Sequence, residues 1–258
     1  MSPGPRHAAA VAALAATATL TCLVATSTEA APFEDTMAQR VLACTGCHGP
    51  EGRAAPDGYY PRIAGKPAGY LYNQLLNFRD ERRHYALMNG LLAPLSDAYL
   101  REIAVHFARL DIPYPPPAAA TATLGDADRA GAARLVTEGD AQRGVPPCIA
   151  CHGKSMTGTA PFVPGLLGLP RDYLNAQLGA WREDKRRAQS PDCMSRVAKA
   201  IAPEEIGAIS AWLAAQPVPA DAKPAGAFAA PLPFECGGVA NAVASSPPPA
   251  GGASGPTR

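Results

Sequence analysis

The sequence predicts an all-α chain built from two tandem copies of one small helical domain, and three observations carry that prediction. A set of residues recurs in the same order about a hundred positions apart, which is how a duplicated domain shows itself. Apolar residues fall at helical spacing in several windows, and no segment sustains the alternation of a half-buried strand. Charged residues are 17% and aromatics 6% of the chain, so the apolar share is largely alanine. A core that thin commonly needs a covalent staple, a metal or a cofactor.

The 258 residues suffice for two domains of about 100 each. A net charge of +1 offers no basic field for nucleic acid. Residues 1–31 read as a signal peptide, with Arg6 and His7 before the small, apolar, uncharged run Ala8 to Ala25. Cleavage is expected near Ala31 or Pro32, which would remove Cys22. Thr19-Leu20-Thr21 is a poor match for a lipid-anchoring run, and the segment is too rich in Ala and Thr to favour a retained membrane anchor. The expected location is the periplasm, an oxidising compartment.

Cys44-Thr45-Gly46-Cys47-His48-Gly49 returns as Cys148-Ile149-Ala150-Cys151-His152-Gly153, an offset of 104 (148 − 44). Tyr70-Leu71-Tyr72-Asn73-Gln74-Leu75 returns as Tyr173-Leu174-Asn175-Ala176-Gln177-Leu178, an offset of 103 (173 − 70). Phe78 and Trp181 each open a charged run, and Met88 is matched by Met194. The expected organisation is a first domain at 32–110, a Pro-rich linker at 111–125, a second domain at 126–216 and a Pro/Ala/Gly-rich tail at 217–258. Four prolines between Asp111 and Gly125 stop the preceding helix and make a semi-rigid spacer. Ser245 to Arg258 has no periodicity and is expected to be disordered.

Helices are expected from Phe33 to Ala43, through Tyr70 to Phe78, from Ser96 to Arg109, from Asp126 to Gly139, through Trp181 with Asp172 as its cap, and from Pro203 to Ala214. Ser96 is a natural N-cap. Pro203 fits a first turn, where its missing N–H costs nothing.

Cys-x-x-Cys-His has a specific chemical logic. Two thiols add to the vinyl groups of haem, and the adjacent histidine becomes an axial ligand of the iron. Cys44 and Cys47, then Cys148 and Cys151, would each anchor one haem, with His48 and His152 on the irons. Other readings fit less well. A thiol–disulfide redox pair wants a strand-then-helix context, a four-cysteine zinc site wants its pairs far closer in sequence, and plain disulfides leave the histidines without a role. The expected cofactors are therefore two covalent haem c groups.

Each iron then needs a sixth ligand. Outside the motifs stand His7, in the expected leader, His84 and His106, so the second domain has no spare histidine. Met194 is the better candidate there than Met156, which follows His152 too closely to reach the opposite ring face. Met88 is its counterpart in the first domain. His84 could rival Met88 but reads better as an exposed residue of a charged loop, and His106 as a packing residue. Thioether ligation favours Fe(II) and raises the reduction potential. Carbonyls near Pro61 and Pro164 are placed to accept the histidine Nδ1–H. Arg83 and Arg186 are candidates to meet haem propionates, against the alternative of a solvated loop.

Through Cys44-x-x-Cys47-His48, Pro61-x-Ile63-Ala64-Gly65 and Met88, then Cys148-x-x-Cys151-His152, Pro164 and Met194, the sequence resembles the dihaem class I cytochrome c family of the "c four" type. The resemblance runs to about Ala215. It implies two all-helical domains related by a pseudo-twofold, each wrapped around a covalent haem, with His/Met ligation and haems close enough to exchange electrons. Against that pattern, Cys193 and Cys236 are extra cysteines, expected to form a disulfide in an oxidising compartment, the alternative being two buried thiols. The expected function is a periplasmic carrier of single electrons rather than an enzyme. Its partners would be redox proteins (oxidase, reductase or dehydrogenase), with transient contact to membrane complexes. The alternative is the cytochrome subunit of a periplasmic dehydrogenase complex, and a dihaem peroxidase ranks last.

Overall fold

A computed structural model describes residues 35–55, 59–114, 116 and 124–240. The expected leader, most of the linker between 117 and 123, and Ser245 to Arg258 lie outside the described residues. The described residues from Thr36 to Ala240 pack as one compact unit that contains two apolar cores, one per repeat.

The first repeat runs through α1 (Met37–Arg40), α2 (Leu42–His48), α3 (Ala68–Arg79), α4 (Ala86–Leu92) and α5 (Asp97–Ala108). The second runs through α6 (Asp126–Thr137), α7 (Ile149–His152), α8 (Arg171–Arg182), α9 (Cys193–Ala200) and α10 (Pro203–Ala215). Between α7 and α8 lies a two-residue antiparallel ladder, β1 (Gly158–Thr159) with β2 (Val163–Pro164).

Local chemistry sets these boundaries. The Ser96 hydroxyl accepts from the Tyr99 N–H, capping α5, whose Leu100, Ile103, Ala104 and Phe107 share one buried face. Pro203 opens α10, and the Glu205 carboxylate accepts from the Ala202 N–H at 2.9 Å. Asp172 does not cap α8: Pro170 occupies that position with ψ 144°, and Asp172 lies inside the first turn, where its charge still meets the helix dipole favourably. Gly49 and Gly153 end the two motif helices with φ of 76° and 79°. A Cβ at Gly49 would come within 2.4 Å of the Ala54 carbonyl oxygen, so glycine is required.

The helices α4 and α9 were not expected from the sequence. Their starts are fixed by side chains: Asn89 Oδ1 accepts from the Tyr85 N–H, and Asp192 accepts from the backbone N–H groups of Ala188 and Ser195. Met156 is buried in the second core.

Residues 217–240 of the tail form an ordered strap across the second repeat. Ala225 exchanges backbone hydrogen bonds with Gly158 and Ala160. Phe234 packs on the second core. Cys236 is disulfide-bonded to Cys193, and a short helix, α11 (Gly237–Ala240), follows.

Candidate functional site

The two Cys-x-x-Cys-His segments end on short helices, so the two sulfurs and the imidazole of each motif leave a single turn. His48 Nδ1 lies 2.8 Å from the Pro61 carbonyl oxygen, and His152 Nδ1 lies 2.7 Å from that of Pro164. A carbonyl only accepts, so Nδ1 carries the proton and Nε2 keeps its lone pair for a metal. Burial holds both imidazoles below the usual histidine range, hence neutral at physiological pH. Burial also pushes the Cys148 thiol up to about 11 and raises Cys44 and Cys151. Raised thiols are the reverse of what thiol–disulfide exchange requires.

Both cysteine pairs, both histidines, Met88 and Met194 line one largely apolar cavity of about 980 Å³. Met88 comes from α4 and Met194 from α9, the matching helices of the two repeats. His84 is exposed, and His106 packs edge-on against Phe107.

Arg83 and Arg186 occupy the junction between the repeats. Arg83 donates to Gln74 of its own repeat and to Tyr173 and Gln177 of the other. Arg186 donates to Gln177 of its own repeat and to Tyr70 and Gln74 of the other. The backbone crosses here as well: the His84 N–H donates to the Lys185 carbonyl at 2.9 Å, and the Arg187 N–H to the Arg82 carbonyl at 2.7 Å. Swapping the repeats exchanges each contact for its mate, which is a pseudo-twofold relation. Arg186 is only 4% exposed, so this part of the charged run is no solvated loop.

The donor set fits a haem with its carboxylates. Among the described residues, neither Arg83 nor Arg186 has a carboxylate partner. The Arg186 guanidinium sits 3.7 Å over the Trp181 ring, whose buried Nε1–H has no acceptor. A propionate would supply the anion and the acceptor together. The sequence reading missed Tyr70, Gln74, Tyr173 and Gln177 as junction residues. The available signal was their identity at matching positions, beyond what a packing face requires.

No protein-family model matches the chain. It is 36% identical over 179 residues to a thiosulfate dehydrogenase electron acceptor of Thiomonas intermedia, covering 68% of this chain and 79% of that protein. It is 32% identical over 184 residues to cytochrome c4 of Pseudomonas aeruginosa, covering 67% and 84%. Its fold matches reduced cytochrome c4 from Pseudomonas stutzeri, with TM-score 0.58 and 27% identity over 69% of this chain and 95% of that one. It also matches a thiosulfate dehydrogenase (TsdBA) from Marichromatium purpuratum, with TM-score 0.57 and 30% identity, covering 68% of this chain and 36% of that one.

Proposed function

The chain belongs to the cytochrome c4 family of dihaem electron carriers, and on that premise we propose that it takes its electrons from a thiosulfate dehydrogenase in the periplasm. The observation that carries this reading is the 36% identity to a thiosulfate dehydrogenase electron acceptor over 79% of that protein. The likeness to the TsdBA structure supports it. Of the two functions the sequence allowed, this favours the dehydrogenase partner over the general respiratory carrier.

In this reading the first domain spans 32–110, the linker 111–125 and the second domain 126–216. Cys44 and Cys47 hold one haem and Cys148 and Cys151 the other. His48, Met88, His152 and Met194 would be the side chains that ligate the two irons. A haem held by these residues would supply a one-electron Fe(III)/Fe(II) couple. Pro61 and Pro164 fix the imidazole planes through their carbonyls. Arg83 and Arg186 would hold the propionates at the junction. No helix among the described residues is long and apolar enough to cross a membrane, and the partner is reached by docking.

The test is to mix oxidised dihaem protein with a thiosulfate dehydrogenase and thiosulfate and to follow the reduced-haem visible band. Reduction of both haems at a rate that saturates with carrier concentration supports the reading. Haems that stay oxidised there, yet are reduced by a respiratory quinol-oxidising complex, would return the general carrier to first place.

A further inference from the structure

Lys66 belongs to the first repeat but ends in the second. It lies in the loop before α3, is 5% exposed, and its ammonium donates to the Gly165 carbonyl at 3.1 Å. Gly165 follows Pro164, whose carbonyl receives the His152 Nδ1–H. That loop has no slack: a Cβ at Gly165 would fall 2.6 Å from the Thr157 carbonyl oxygen. The ammonium is therefore held at a fixed place beside the histidine side of the second haem site, and it lines the shared cavity.

No described carboxylate neutralises it. The charged side chain acting on Lys66 is Arg62, of like sign, whose own guanidinium is bonded to the carbonyls of Ala64, Ile112 and Pro113. The ammonium and His152 line the same cavity and are bonded to the adjacent carbonyls of Gly165 and Pro164.

The first site has a cation of its own, Arg83, whose charge acts on His48, but it does not come from the position that Lys66 holds. The position equivalent to Lys66, 103 residues on (169 − 66), is Leu169, which is buried in the second core. The duplicated fold thus brings an ammonium of one repeat to the second site, while the equivalent leucine stays in the second core and the first site relies on Arg83 of its own repeat.

We propose that Lys66 tunes the haem of the other repeat, raising the reduction potential of the haem on Cys148 and Cys151 relative to the haem on Cys44 and Cys47. Each iron gains one electron on passing from Fe(III) to Fe(II), so the oxidised state carries one more positive charge. A buried cation disfavours that state, and burial protects the interaction from salt screening. The charge of Lys66 favours the electron on the second haem. The inference rests on the haem ligation set out above and is independent of which protein donates the electron.

The measurement is a potentiometric titration of the dihaem protein carrying Lys66→Leu, Lys66→Gln or Lys66→Arg, with the two haems followed separately by their paramagnetically shifted methyl resonances. In the two neutral variants the second haem should shift toward the oxidised form by about tenfold in its redox equilibrium, about 59 mV for one electron. The first haem should move much less, and Lys66→Arg should restore the difference. Equal shifts at both haems, no shift in either neutral variant, or a shift confined to the first haem would overturn the proposal. A Leu variant that fails to load its second haem is replaced by the Gln variant, which keeps a polar group at the Gly165 carbonyl. No dehydrogenase is present, so failure of the thiosulfate reading leaves this result intact.

Discussion

The two repeats share a scaffold and differ in what covers it. In the second, the strap of residues 217–240 packs Phe234 on the core and closes a disulfide at Cys193, directly before Met194. In the first, the corresponding methionine helix is bare: Leu87 and Leu91 flank Met88 at 65% and 44% exposure. His152 is buried, whereas His48 is only partly so. Trp181 offers a buried N–H where the first repeat has Phe78, and a lysine reaches the second site where a leucine stands in the equivalent place. Duplication supplied two equal frames, and single substitutions plus one appended segment made one site enclosed and the other open.

The strap is the most direct way to break that difference. Cys193→Ser or Cys236→Ser should cost about 2–4 kcal/mol of stability, the usual worth of a disulfide, read by denaturant unfolding. The weak long-wavelength thioether–Fe(III) absorption should fall toward half, because Met194 loses its tether while Met88 does not. A full-strength band in the variant would mean that the strap does not hold the methionine.

The arginine pair should show a smaller asymmetry. Arg186→Leu removes a buried guanidinium and its hydrogen bonds to Gln74, Gln177 and Tyr70, at a cost of about 3 kcal/mol. Arg83→Leu acts at a half-buried position and should cost about half as much. Equal losses would show that the junction is energetically symmetric.

A pH dependence separates the repeats as well. Burial, helped by the charge of Arg62, brings Lys66 down from 10.5 to about 8. Between those values the unfolded chain binds the proton that the folded chain has released, so stability rises with pH across that window. Below about 8 both states hold the proton and the burial penalty is fully felt. Lys66→Gln should flatten this rise in unfolding experiments, with Arg62 and the neutral His152 left in place.

Much of this was legible from residue order. The histidine-bearing motifs, the proline carbonyls and the capped helix at Ser96 depend on chemistry within thirteen residues, and a fixed offset doubles the motif and proline signals. The methionine helices were not, because they are short and their starts are set by Asn89 and Asp192 bonding to backbone N–H groups. The junction was hidden for a different reason: Arg83 and Arg186 find their partners across the other repeat, and sequence spacing does not say which of two copies a side chain will touch. The strap reads as coil by composition, since Pro, Ala and Gly dominate it. Its order comes from one disulfide, one aromatic anchor and a short backbone pairing with Thr159.

The crossed contacts at Arg83 and Arg186 have a consequence for descent. In a self-complementary interface residue i meets j while j meets i, which is the pattern of a homodimer. The junction therefore has the form of an ancestral pair of identical subunits made permanent by a tether. Joining the partners converts an association that depends on concentration into one that does not. It also lifts the demand that both faces stay alike, since a change in one half is no longer copied into the other. Lys66 opposite Leu169, and a strap on one side only, are differences that a symmetric dimer of one gene product could not have fixed.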